Sequence, residues 1–222
     1  MKRINSLIDH TNLEVSASEK DIKRLCDEAM EYNFRGVCVN SLWLPFVSKY
    51  LKNTNVKIIS VCDFPLGSSL TEVREREAEI IVENGAEEID VVIQIPLLKS
   101  KKYKEIEADI EGIVDIIHPN GVLKVIIEAP ILSSEEILLA AKITEDAGAD
   151  FVKSGTGTNG VVSAVQIKQI KKATELPVKA AGGINNVDKA LELLSSGATI
   201  LGSSSGKKIM NELKKNKIER YE

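Results

Sequence analysis

The chain has 222 residues, is 43% hydrophobic and 28% charged, and carries a formal net charge of −4. That is ample chain for a core, and the balance is that of a globular domain, not of a disordered or fibrous protein. Charges of both signs are interspersed, no basic stripe with interleaved aromatics occurs, and no apolar run has the length of a bilayer span, so neither nucleic acid nor membrane is expected as a partner. Cys26, Cys38 and Cys62 are odd in number and widely spaced, which speaks against a disulfide framework or a zinc site and for reduced thiols in the cytoplasm. The start, Met1-Lys2-Arg3-Ile4-Asn5, lacks the apolar stretch of a signal peptide. His10 and His118 have no metal-ligand spacing with a carboxylate cluster, so no metal site is expected.

Short β-branched runs alternate with longer amphipathic stretches. Leu7 to Thr11 reads as the first strand, and Ser16 or Ser18 then caps a helix through about Glu31, apolar at Ile22, Leu25, Cys26 and Ala29. Gly36 to Asn40 is the second strand, followed by a short helix, Ser41 to Leu51, with Pro45 in its first turn. Val56 to Val61 is the third, followed by a loop and a helix over Thr71–Glu83 that stops at Asn84-Gly85. Glu88 to Ile93 is the fourth, before a charged helix from about Lys101 to Ile117. Leu123 to Glu128 is the fifth, and Ser133 or Ser134 caps the next helix, which ends at Ala147-Gly148. Ala149 to Lys153 is the sixth, with a helix over Val162–Ala173. Leu176 to Ala181 is the seventh, with a helix over Asn186–Ser195. Ala198 to Gly202 is the eighth, and a last helix runs to about Lys215.

Apolar strands alternating with amphipathic helices imply parallel strands covered by helices. Eight such units without a linker predict an α/β fold, a (β/α)8 TIM barrel forming a single domain over 1–222. The competing open, doubly wound sheet has fewer strands and often a Gly-rich turn after the first, which Leu7 to Ser18 does not contain.

Active sites of such barrels lie at the C-terminal ends of the strands. The residues expected there are Asp9 and Thr11, Cys38 and Asn40, Asp90, Lys124 and Glu128, Lys153, and Lys179. Lys153 alone resembles any strand-end lysine that reaches back to water. With Lys124, Lys179 and Asp90 sharing one cavity the reading changes: a second cation beside a lysine frees its lone pair, and a carboxylate relays protons. The alternative is a structural ion-pair network in the barrel mouth. Separately, Ala181-Gly182-Gly183-Ile184 follows the seventh strand, and Gly202-Ser203-Ser204-Ser205-Gly206 follows the eighth and opens a helix. Loops after strands seven and eight, with a helix N-terminus, are a recurring phosphate site in these barrels. The plain alternative is a pair of tight strand-to-helix turns.

The runs Leu7-Ile8-Asp9-His10-Thr11, Val37-Cys38-Val39-Asn40, Phe64-Pro65-Leu66-Gly67, Glu88-Ile89-Asp90-Val91-Val92, Leu123 to Glu128, Ala149 to Lys153, Val178 to Ile184 and Gly202 to Gly206, in this order, resemble the 2-deoxyribose-5-phosphate aldolase family of class I, Schiff-base aldolases. The resemblance covers nearly the whole chain. It implies reversible cleavage of 2-deoxy-D-ribose 5-phosphate to D-glyceraldehyde 3-phosphate and acetaldehyde. Lys153 would form the imine, Lys179 would lower its pKa, Asp90 would relay protons with Lys179 and water, and Lys124 would lie nearby. Asp9, Thr11, Cys38 and Thr156 match sugar-pocket positions, and Gly182, Gly183, Gly202, Ser204 and Ser205 match a phosphate cradle. No metal or organic cofactor is implied; the expected partners are a small phosphorylated sugar and further copies of the chain as a homo-oligomer. Ser154-Gly155 and Asn185 depart from the family pattern, which leaves open a Schiff-base aldolase acting on another sugar. A phosphosugar-binding barrel without lyase activity is the third reading.

Overall fold

The computed structural model describes residues 3–215; Met1 and Lys2 of the start discussed above lie outside them. Eight parallel strands close into a barrel in sequence order: β1 (Ile8–Asn12), β2 (Gly36–Val39), β3 (Lys57–Cys62), β4 (Glu88–Val92), β5 (Val122–Ile126), β6 (Phe151–Lys153), β7 (Val178–Ala181) and β8 (Ile200–Ser203), with β8 pairing back onto β1. The helices are α1 (Glu19–Glu31), α2 (Leu44–Tyr50), α3 (Thr71–Glu83), α4 (Ile95–Lys99), α5 (Tyr103–Ile117), α6 (Ser134–Asp146), α7 (Ala164–Ala173), α8 (Val187–Ser195) and α9 (Gly206–Lys215). The (β/α)8 barrel expected from the alternation is therefore present. Among the described residues no helix is long and apolar enough to cross a membrane.

Local chemistry sets the helix starts. Ser18, Ser133 and Ser163 each accept from the backbone N–H three residues on, while Asp21, Glu136 and Gln166 reach back to the cap backbone. Each such capping box satisfies two otherwise orphaned donors, and its hydroxyl is worth about 1 kcal/mol. The apolar stripe of α1 buries Ile22, Leu25, Cys26 and Ala29.

The strands alternate with period two, and the alternation sorts chemistry. Val37 and Val39, Ile89 and Val91, Leu123 and Val125, Val178 and Ala180 all belong to the large apolar cluster beneath the helices. Their neighbours Asp90, Lys124, Lys153 and Lys179 are buried and lie outside that cluster. A second, small apolar group, Cys38, Ile59 and Val61, lies apart from that cluster, with Leu13 and Phe64 against it.

Differences from the sequence expectation lie at the edges. The fifth strand stops at Ile126, because Glu128 takes left-handed backbone at φ 56° and cannot continue a ladder. The helix expected from Lys101 begins at Tyr103, after Lys101 at φ 59°. Strands six, seven and eight each begin two residues later than expected, at Phe151, Val178 and Ile200. The five-residue α4 was not anticipated, being shorter than the window in which helical periodicity shows.

Candidate active site

Register places the charged residues. Asp90 stands beside Lys124 across β4 and β5, and Lys153 beside Lys179 across β6 and β7. All project into the barrel and converge on Asp90. Lys124 Nζ donates to Asp90 Oδ1 at 2.9 Å; Lys153 Nζ and Lys179 Nζ donate to Oδ2 at 2.9 and 2.7 Å. Lys179 also pairs with Asp9 Oδ2 at 2.6 Å, and Lys124 with Glu88 Oε2 at 2.5 Å. At the floor, Arg35 donates to Asp9 Oδ1 at 2.7 Å and to Glu88 at 3.0 and 2.5 Å. Four cations, Arg35, Lys124, Lys153 and Lys179, thus face three carboxylates, Asp9, Glu88 and Asp90. Arg35, Lys124 and Lys179 each bridge two carboxylates. Lys153 has contact with Asp90 alone, which two other lysines already neutralise.

The electrostatics follow from this packing. Burial would push Asp90 up, but Lys124, Lys153 and Lys179 reverse it and hold its carboxyl well below the usual range. Asp9 is likewise held low, burial being overcome by Lys179, Arg35 and Lys124. For Lys179, burial favours the neutral amine; Asp9 and Asp90 outweigh it and keep the ammonium stable far above the usual range. Burial and the charge on Asp90 push the Cys38 thiol up to about 11.

Above this network lies a cleft of about 670 Å³. Of the sequence-derived candidates, Thr11, Asn40, Lys153, Thr156, Gly182, Gly183, Gly202, Ser204 and Ser205 line it. Asp9, Cys38, Asp90, Lys124 and Lys179 do not: they lie beneath it, each at most 1% exposed. Lys153 is the lysine through which the network meets the cleft. Phe64 flanks it, with the ring centroid 5.8 Å from Lys153 Nζ.

The far wall of the cleft is built from small residues. Gly182 and Gly183 have φ of 109° and 75°, and a Cβ on Gly183 would lie 2.7 Å from the Val161 side chain. Ser203 Oγ donates to the Ile184 carbonyl at 2.6 Å and accepts from Ser205 N–H at 2.9 Å, tying the two loops together at the start of α9. Gly202 has a second duty: a Cβ there would sit 3.1 Å from Lys179 Cε, so its bareness leaves room for that side chain inside the barrel. Arg24, paired with Asp21 at 2.9 Å, lines the same cleft.

Sequence reasoning passed over Arg35, Glu88 and Phe64. Glu88 was legible: it lies two residues before Asp90, hence on the same strand face. Arg35 precedes its strand, where no periodicity marks it.

A parallel barrel whose interior lysines converge on one carboxylate, with a single lysine emerging into a cleft walled by Gly- and Ser-rich loops, defines a class I aldolase, a carbon–carbon lyase. The DeoC/LacD family aldolase profile matches residues 4–212, and the chain belongs to that family. It is 41% identical over 211 residues to the deoxyribose-phosphate aldolase of Enterococcus faecalis, covering 94% of this chain and 96% of that one. It is 45% identical over 215 residues to the enzyme of the same name from Thermococcus kodakarensis, again covering 94% and 96%. Among solved structures, the tetrameric deoxyribose phosphate aldolase of Aeropyrum pernix superposes with a TM-score of 0.89 at 32% identity, over 95% of this chain and 91% of that one.

Proposed function

We propose that the chain, acting as one barrel domain, cleaves 2-deoxy-D-ribose 5-phosphate reversibly to acetaldehyde and D-glyceraldehyde 3-phosphate through an imine on Lys153. The observation that carries this reading is the placement of Lys153: it lines the cleft and has no carboxylate of its own. Asp90, its one carboxylate partner, keeps Lys124 and Lys179 as well. Lys179, held as an ammonium, supplies the fixed positive charge beside Lys153.

The Lys153 amine attacks the C1 carbonyl, and water leaves to give the imine. The imine draws electrons from the C2–C3 bond as the C3 hydroxyl loses its proton, which releases the three-carbon phosphate and leaves a two-carbon enamine. Protonation at C2 and hydrolysis then give acetaldehyde and free Lys153. Asp90, 2.9 Å from Lys153 Nζ, takes protons in transit only, because its three lysines hold it ionised; water carries them onward with Lys179. Lys124 buttresses Asp90 from below. Thr11 lines the sugar end of the cleft, and Asp9 and Cys38 support its floor. Gly182, Gly183, Gly202, Ser204 and Ser205 form the wall that takes the phosphate, where backbone N–H groups and the α9 dipole favour an anion.

Two further readings go with this one. The chain works in the cytoplasm, consistent with its three free, buried cysteines, and it self-associates, as the tetrameric Aeropyrum pernix relative does. A coupled assay tests the central proposal. Wild type turns over 2-deoxyribose 5-phosphate, and Lys153→Ala loses roughly 10⁴-fold or more in kcat, the scale on which removing a nucleophile acts. Retention of activity in Lys153→Ala, or negligible turnover of this substrate beside rapid turnover of another aldol, would sink it.

A further inference from the structure

Glu128 lies two residues beyond β5, is 1% exposed, and has left-handed backbone at φ 56°, ψ 49°. Asn33, Asn53 and Asp63 share that region of φ, which Asn and Asp tolerate; a glutamate has no such preference and costs about 1–2 kcal/mol there. A buried carboxylate is costly too unless it is hydrogen-bonded. Both costs are accepted where the carboxylate has a task, and its partners show which. Glu128 Oε1 accepts from Thr156 N–H at 3.1 Å; Oε2 accepts from Thr156 Oγ1 at 2.6 Å and from Asn159 Nδ2 at 3.3 Å. The Ala129 N–H also donates to the Ser154 carbonyl at 2.7 Å. All these partners belong to the segment 154–160 that follows Lys153.

The same segment is held on its other side. Ser154 Oγ donates to the Ala181 carbonyl at 3.0 Å and accepts from Ala181 N–H at 2.9 Å. Gly157 and Gly160 pack against Gly182, where an added Cβ would stand 3.4 Å from the Gly160 carbonyl and 3.6 Å from Gly157 Cα. Gly155 has its reason here as well: a Cβ would lie 3.0 Å from Glu128 Oε1, so a larger residue would crowd the carboxylate. The Thr156 hydroxyl is engaged within the protein. It donates to Glu128, accepts from Thr158 N–H at 3.0 Å and contacts Thr158 Oγ1 at 2.7 Å.

We propose that Glu128 is a positioning residue for the phosphate-bearing end of the substrate. Its carboxylate fixes Thr156 and the loop around it, and through Gly157 and Gly160 that loop holds the Gly182–Gly183 wall in its binding form before substrate arrives. This rests on the Lys153 imine assignment.

The test separates the two ends of the reaction. Acetaldehyde carries only the two carbons next to Lys153 and does not reach the loop, whereas 2-deoxyribose 5-phosphate needs it. Glu128→Ala is expected to raise KM for the phosphate substrate about tenfold or more, the scale of losing a charged hydrogen bond. Borohydride trapping of acetaldehyde on Lys153 stays within about twofold of wild type by the same reasoning. Glu128→Gln, which keeps one carbonyl oxygen for Thr156 N–H, recovers most of the KM. Thr156→Val adds little to Glu128→Ala, because both remove one link. Should Glu128→Ala fail to fold, Thr156→Val alone decides: a raised KM with normal trapping supports the proposal. An unchanged KM overturns it, as does loss of acetaldehyde trapping in step with KM. Absence of trapping in wild type refutes the imine assignment instead, which keeps the two failures apart.

Discussion

Lys153→Met should abolish activity and leave the fold as stable as wild type, while Lys179→Met should unfold it early. The contrast comes from the wiring of the barrel interior. Lys179 is 1% exposed and bridges Asp9 at 2.6 Å and Asp90 at 2.7 Å. Removing it strips Asp9 of its lysine contact and leaves a fully buried carboxylate short of charge. Breaking a buried pair in this way costs about 3–5 kcal/mol. At about 2–4 °C per kcal/mol for a chain of this length, Tm falls by roughly 6–20 °C. Among the described carboxylates Lys153 pairs with Asp90 only, and Asp90 keeps Lys124 and Lys179 when Lys153 is gone. A methionine there fits beside Phe64, so the stability of Lys153→Met should lie within about 1 kcal/mol of wild type. Urea and thermal denaturation of the three proteins at neutral pH decide it. If Lys153→Met falls as far as Lys179→Met, Lys153 is an indispensable ion-pair partner, and the claim that it is the network's spare cation fails.

Asp90 and Asp9 have folded-state carboxyl pKa values below their unfolded ones, so their stabilisation is present above the unfolded carboxylate range and is lost as pH falls through the lowered folded values. Asp90→Asn should therefore flatten the acid limb of the stability–pH curve below about pH 4, and an unchanged limb would contradict the assignment. The thiols of Cys38 and Cys26 are pushed up to about 11 and about 12 and are buried, so native protein at neutral pH should resist alkylation that labels all three cysteines after unfolding. Rapid native labelling of Cys38 would contradict this. Gly183→Ala forces a Cβ to within 2.7 Å of Val161 at positive φ, so it should raise the inhibition constant for inorganic phosphate and KM together. Equal phosphate inhibition of variant and wild type would remove Gly183 from the cradle.

The barrel was legible because its strands are buried on both faces and its helices carry clean apolar stripes, as in Ile22, Leu25, Cys26 and Ala29 of α1. Lys124, Lys153, Lys179 and Asp90 were legible for the same reason: a charge in an apolar strand has to point inward to a partner. What the sequence did not convey was depth. It placed Lys124, Lys179 and Asp90 at the mouth, yet they lie a layer below it, because strand position along a tilted barrel depends on a stagger that no local pattern encodes. Arg35 escaped notice because its partners, Asp9 and Glu88, are 26 and 53 residues away. Thr156 was expected to contact the sugar, and the structure shows its hydroxyl engaged by Glu128, a contact 28 residues apart in sequence.

Borohydride reduction in the presence of acetaldehyde, followed by peptide mapping, reads out directly which lysine forms the imine. The expected product is a single N-ethyl-lysine at Lys153, with Lys124 and Lys179 unmodified because both are buried beneath the cleft and paired with carboxylates. An adduct on Lys124 or Lys179, or no adduct under conditions where the enzyme turns over, would contradict it.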